Sequence, residues 1–401
     1  MAKCQSTKIR KNLTVIPYGR QDISDADIKA VIDVLKSNFL TQGPMVPEFE
    51  NALSSNTGVK HALAVNSATS ALHIACMALG LGKGDILWTS PITFVASANA
   101  GLYCGANIDF VDIDPATYNM CPNKLEKKLR HAKLKGTLPK VLVPVHHCGQ
   151  SCDMRAIQHI CKEFNVKIIE DASHAIGGSY LDEPIGNCAY SDISVFSFHP
   201  VKIITTGEGG AALTNNDQLA EKMALYRSHG ITRDQNMMTE PSHGSWYYQQ
   251  IELGYNYRMT DIQAALGVTQ IQRLSEFILK RHEIARRYDR LLDELPVKVP
   301  LQLDYTYSAL HLYIIRLKLD EIKLSHKQVF DGLRENGIGA MVHYIPVHLQ
   351  PYYSDMGFQS GNFPESEKFY SEAISLPIFP NLSKEEQDRV VEVLNSLLVS
   401  K

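Results

Sequence analysis

The chain of 401 residues lacks any apolar run long enough to cross a bilayer, and its first residues lack the apolar block of a secretory leader. The expectation is a cytoplasmic protein without a membrane partner. An excess of either charge is missing too: 40 Lys and Arg are interspersed with 43 Asp and Glu, giving a net charge of −3 and no basic face for nucleic acid. The one basic stretch, "KCQSTKIRK", is short and reads as a solvated terminus. Eight cysteines (Cys4, Cys76, Cys104, Cys121, Cys148, Cys152, Cys161 and Cys188) include no C-x-x-C pair, which argues for reduced thiols and against a disulfide framework. Internal repeats and low-complexity segments are also lacking.

What is there is material for a large core, with 44% hydrophobic residues. From about residue 60 to 215, short β-branched runs alternate with helical patterns. "HALAV" precedes "TSALHIACMAL", "DILWT" precedes "FVASANAGLYCG", and "IDFVDI", "KVLVPV", "VKIIED" and "ISVFSF" follow. That order predicts an α/β domain around a large, mostly parallel sheet. A second block opens at Asp261 with a long helical pattern and alternates helix and strand to the end, predicting a smaller α+β C-terminal domain. The expected division is therefore residues 1–260, an N-terminal arm and the large domain, and residues 261–401. Between the blocks, Ser228 to Thr260 has no clean period and reads as a long loop of the kind that carries function.

Ligands of open α/β sheets sit beyond the carboxyl ends of the strands. After "HALAV" come Ser67, Ala68 and Thr69 at a helix start, where free backbone N–H groups suit an anion, or where a hydroxyl merely caps the helix. After "DILWT", Phe94 projects at the sheet mouth. After "VKIIE" stands Asp171, followed by His174; a carboxylate there needs a positive partner or serves as a turn cap. "ISVFSF" delivers Ser197, His199 and Lys202, followed by the glycines of "GEGGAA". These ends suit pyridoxal 5′-phosphate: Asp171 against the ring nitrogen, Phe94 on the ring face, Ser67, Ala68, Thr69 and Ser197 around the phosphate, and Lys202 as Schiff-base lysine. Apolar neighbours ease the deprotonation that lets an amine attack a carbonyl. "GEGGAA" matches a dinucleotide fingerprint in letters but runs into a strand, not a helix. "VHHCGQSCD" offers imidazoles and thiols, yet its C-x₃-C spacing lacks a second thiolate pair, so no metal is expected.

In "NSATSAL", "SPITFVASANA", "EDASHAIG", "SFHPVKIITTGEGGAALTNN" and "LGYNYRMTDIQAALGVTQ" the chain resembles the DegT-like sugar-nucleotide aminotransferases, over nearly its whole length. The resemblance implies the type I, aspartate-aminotransferase-like fold with bound pyridoxal phosphate. It implies that Lys202 bonds the cofactor, Asp171 pairs with its ring nitrogen, Phe94 stacks, Ala68, Thr69 and Ser197 bind phosphate, and His174 and Gln150 lie near the ring or substrate. It further implies that Asn256 reaches the cofactor phosphate of a neighbouring subunit, hence a homodimer with active sites at the subunit interface. Within the family, "GQSCDM" and "VHYIPVHLQPYY" are most similar to the branch serving pseudaminic acid synthesis. That makes L-glutamate the amino donor, a UDP-linked 4-keto-6-deoxy-L-HexNAc the acceptor, and Gln150, Tyr257, Arg258, His343, Tyr344 and His348 substrate-contact candidates. A TDP- or GDP-linked keto sugar is the alternative acceptor. Lys202 argues against the family's lysine-less sugar dehydratases. A cofactor-sensing regulator would need a DNA-binding module, and only about sixty residues precede the first sheet strand.

Overall fold

The computed structural model describes residues 14–399. Its centre is a seven-stranded sheet of β1 (His61–Val65), β2 (Ile86–Thr89), β3 (Asn107–Phe110), β4 (Val141–Val143), β5 (Lys167–Asp171), β6 (Ile193–Ser197) and β7 (Gly210–Thr214), in the order β1-β7-β6-β5-β4-β2-β3. All neighbouring pairs are parallel except those of β7, which runs against both β1 and β6. β1 and β6 both oppose β7 and so share a direction. The carboxyl ends of β1, β2, β5 and β6 therefore open on one rim, joined there by the amino end of β7.

Strands buried on both faces carry continuous apolar runs, and these do. Val141 and Val143 pack with Ala71, Leu72 and Ala75 of α3 (Ala68–Ala78), while Leu142, between them, packs on the opposite face with Leu125 and Leu129 of α5 (Pro122–Lys135) and Ile157 of α6 (Met154–Glu163). In chain order the large-domain helices are α1 (Asp25–Leu35), α2 (Met45–Thr57), α3, α4 (Ala96–Tyr103), α5 (Pro122–Lys135), α6 (Met154–Glu163), α7 (Asp217–Arg227), α8 (Asp261–Gln272) and α9 (Leu274–Leu291). α8 begins where Thr260 and Gln263 form a reciprocal capping box, and α2 ends at Gly58, whose φ of 76° lets the chain leave the helix left-handed.

The smaller layer is an antiparallel sheet ordered β8 (Val297–Lys298), β9 (Tyr313–Leu317), β10 (Ala373–Leu376), covered by α10 (His326–Glu335) and α11 (Lys384–Leu398). Its core gathers Tyr288, Ile315, Val329, Leu333, Ile374, Val390 and Leu394. The two cores exchange places along α9. Ala264, Val268, Phe277 and Ile278 pack with Phe49 and Phe196 in the first core, and Ile284, Ala285 and Tyr288 in the second. The change of core thus falls inside α9, because α8 lies against α2 and buries its apolar face there. Ile16 also joins the second core, where Ile16 and Pro17 pair in parallel with Ile338 and Gly339, so the arm serves the smaller layer. Among the described residues no helix is long and apolar enough to cross a membrane.

Candidate active site

β1 ends at Val65, and Ser67 turns the chain into α3 by accepting the Ser70 N–H on its hydroxyl at 3.1 Å. Capping is therefore what Ser67 does here, while the Ala68 and Thr69 N–H groups point from a helix start where no intrahelical acceptor exists. Opposite them, Gly210 pairs in register with Ser197 and Val65. A Cβ on Gly210 would stand 2.4 Å from the Ala68 nitrogen, so only glycine lets β7 approach α3 this closely. Ser197 is buried at the end of β6. The loop between β6 and β7 is closed by Phe198 N–H to Gly209 O at 2.9 Å and Thr206 N–H to Phe198 O at 3.0 Å. It delivers Lys202 to the rim.

Burial favours the neutral form of the Lys202 amine and pushes it down to about 8, against the opposing attraction of Asp171. Asp171 closes β5 and is itself buried; Oδ2 accepts from the Ser97 hydroxyl at 2.6 Å and Oδ1 from the Ser173 N–H at 3.2 Å. Phe94, in the turn before α4, is 59% exposed and sits over the opening with its ring 6.2 Å from that of Tyr344.

Four imidazoles complete this pocket. His174 lies 4.4 Å from His311 and 6.0 Å from His147 between ring centroids, and its Nε2 is 3.2 Å from the Tyr344 hydroxyl. His343 meets Ser375 Oγ at 2.8 Å through Nδ1 and packs on Tyr344. Burial, with the nearby Lys202 charge adding to it, pushes all four well down, His147 to about 3 and His343 to about 4. They are neutral near pH 7. Among the described residues the buried Nδ1 atoms of His174 and His311 have no hydrogen-bond partner. His146, by contrast, is committed, its Nε2 at 2.7 Å from Glu170 and its Nδ1 accepting the Cys152 N–H at 3.1 Å.

Lys202, Asp171, Ala68, Thr69, Ser197, Phe94, His174, His343 and Tyr344 thus line one rim. Asn256, Tyr257 and Arg258 run beside the start of α3: the Asn66 N–H donates to Tyr257 O at 2.8 Å, Arg258 bridges Val65, and the Asn256 side chain is exposed. The Tyr257 hydroxyl is spent on His73 Nδ1 at 3.1 Å, whereas the buried Arg258 Nε has no hydrogen-bond partner among the described residues. The Gln150 amide oxygen is engaged, accepting from Leu303 N–H at 3.0 Å and Thr306 Oγ1 at 3.2 Å. His348 is fully buried, held to Glu367 at 3.0 Å and packed on Phe363, in a cluster with Phe110 and apart from the Lys202 group. Sequence reasoning missed Ser97 and His311. Ser97 had a signal, standing four residues after Thr93 and three after Phe94; His311, in "ALHLY", had none.

A helix start approached by bare backbone, a buried carboxylate, a depressed lysine and an exposed ring fit a phosphorylated pyridine aldehyde in every part. The pattern of the DegT/DnrJ/EryC1/StrS aminotransferase family matches residues 21–395. The chain is a DegT-family aminotransferase. It is a pyridoxal-phosphate-dependent enzyme acting on sugars. Over 96% of its length, and 98% of theirs, it is 38% and 39% identical to the UDP-4-amino-4,6-dideoxy-N-acetyl-beta-L-altrosamine transaminases of two Campylobacter jejuni strains. It is 36% identical to the spore coat polysaccharide biosynthesis protein SpsC of Bacillus subtilis, over 97% of this chain and 99% of that one. Among solved structures, Helicobacter pylori PseC, an aminotransferase of pseudaminic acid biosynthesis, superimposes with a TM-score of 0.88 at 34% identity, over 97% of this chain and all of that one. The sugar aminotransferase Spr1654 of Streptococcus pneumoniae, solved in pyridoxal and pyridoxamine phosphate forms, gives 0.85 and 0.86 at 30% and 31% identity, over 96% and 95% of this chain and 98% of that one.

Proposed function

We propose that this aminotransferase moves the amino group of L-glutamate to the C4 ketone of a UDP-linked 4-keto-6-deoxy-L-HexNAc. The products are 2-oxoglutarate and UDP-4-amino-4,6-dideoxy-N-acetyl-beta-L-altrosamine, for pseudaminic acid synthesis, and the enzyme is a cytosolic homodimer. The observation that carries the reading is Lys202, depressed to about 8 and set on one rim with Asp171 and the α3 start. The pseudaminic branch is supported by the C. jejuni and H. pylori likenesses.

Bound pyridoxal phosphate supplies a carbonyl that amines can join and a cationic ring that spreads negative charge. Asp171 would hold the proton on the ring nitrogen, Phe94 would cover the ring, and the Ala68 and Thr69 N–H groups with Ser197 would hold the phosphate at the start of α3. Lys202 Nζ takes the proton from the Cα of glutamate and returns one at C4 of the sugar; one base serves both halves because both transfers occur on its face. The neutral imidazoles and Tyr344 offer hydrogen bonds without adding charge beside Lys202. The unpaired Arg258 Nε suits an anionic oxygen, and the exposed Asn256 suits a partner subunit's site.

The test supplies glutamate with UDP-, TDP- and GDP-linked 4-keto-6-deoxy sugars and follows 2-oxoglutarate release. The UDP-linked HexNAc is expected to turn over fastest, and Lys202→Ala to lose about 10³-fold or more in kcat, the range of positioned acid–base groups. Faster turnover of a TDP- or GDP-linked sugar contradicts the substrate assignment.

A further inference from the structure

We propose that Ser97 is a positioning residue for the aminotransfer reaction, fixing the Asp171 carboxylate so that one oxygen is left to face the cofactor's ring nitrogen. The proposal rests on the reading that Asp171 meets that nitrogen.

The hydrogen-bond inventory sets a direction. Ser97 is fully buried on α4, its hydroxyl 2.6 Å from Asp171 Oδ2, 2.8 Å from Thr93 Oγ1 and 3.4 Å from Phe94 O. A serine has one hydroxyl hydrogen, and an ionised carboxylate can only accept. The short contact to Asp171 takes that hydrogen, so the buried Thr93 must donate to Ser97. Thr93 to Ser97 to Asp171 is thus a one-way chain in which each bond polarises the next. Asp171 Oδ1 is held more loosely, by the Ser173 N–H at 3.2 Å, which leaves lone-pair capacity on that oxygen. The same turn supplies Phe94. Stacking ring and carboxylate anchor therefore come from residues 93–97 as one rigid unit, and the ring plane and the nitrogen's acceptor are set together.

Removing the Ser97 hydroxyl frees Asp171 to turn about its side-chain bonds and weakens its hold on the pyridine proton. Protein loaded with cofactor carrying ¹⁵N at the pyridine position is titrated by NMR for wild type, Ser97→Ala, Ser97→Thr, Thr93→Val and Asp171→Asn, with kcat and KM measured alongside. Ser97→Ala is expected to lose the ring proton at a pH about one unit lower and to drop kcat about tenfold, with KM for the sugar within about twofold. Ser97→Thr, which keeps the hydroxyl, restores the titration, and Thr93→Val shifts it the same way by less. An unshifted nitrogen titration in Ser97→Ala overturns the proposal even if activity falls, since a packing defect would not spare the nitrogen's environment alone. If Ser97→Ala does not fold, an unshifted Thr93→Val overturns it instead. A nitrogen that titrates alike in wild type and Asp171→Asn is a failure of the underlying reading, not of Ser97.

Discussion

Lys202 is the residue on which the chemistry turns, and burial sets its behaviour. The amine is depressed from the ordinary 10.5 to about 8, so the neutral fraction that can attack an aldehyde grows as pH rises through about 8. The rate of cofactor capture by apoenzyme, followed by stopped-flow absorbance, is expected to rise with pH and level off above that value. The same shift is a stability statement. Between about 8 and 10.5 the unfolded chain holds the proton that the folded chain has lost, so stability rises with pH across that window, and below it the cost of the buried charge is full. Lys202→Met apoenzyme should melt higher than wild type at pH 7, the gap closing as pH climbs past about 8. That Lys202 and Asp171 would share one rim was legible in the sequence because each follows an apolar strand, where topology puts ligands. The partners of Gln150 and His348 were not, because a polar residue that serves a ligand and one that ties down a loop or fills a cluster look alike until their partners are known.

At the level of elements, the contact between β7 and the start of α3 makes the phosphate seat. Gly210→Ala would drive a Cβ into the Ala68 backbone, which cannot yield as a flexible side chain would. Overpacking of this kind costs about 1–3 kcal/mol, and the strain falls on the N–H groups that hold the phosphate. Cofactor affinity, read by fluorescence quenching, should weaken about tenfold or more, more than overall stability suffers. The strand–helix alternation from "HALAV" to "ISVFSF" announced these elements, since runs buried on both faces admit few other readings. That Ser67 caps α3 was one of two open readings, and only the 3.1 Å bond to the Ser70 N–H decides for the cap.

Over the whole molecule, α9 is the member that both cores share, and Arg281 sits where they meet. It is fully buried, and its Nη1 donates to the carbonyls of Leu310, His311 and Ile378, each at 3.2 Å. Burial pushes it down to about 10, which still leaves it charged near pH 7. Arg281→Met would strand three carbonyls, and the expected loss is about 3 kcal/mol or more of unfolding free energy, measured by urea denaturation, with weakened cofactor binding because His311 shifts. Which core α8 fills was not legible in the sequence. Asp261 opens a fresh helical pattern that looks like a new unit, while only the packing of Ala264 and Val268 with Phe49 reveals which core that helix fills. The central claim, that this lysine is the one that bonds the cofactor, is tested most directly by reducing cofactor-loaded enzyme with borohydride and mapping the pyridoxyl group by peptide mass spectrometry. The account predicts a single modified peptide with the mass on Lys202, absent when L-glutamate is added before the reductant. A pyridoxyl group on another lysine, or none in enzyme that still transfers amino groups, would contradict it.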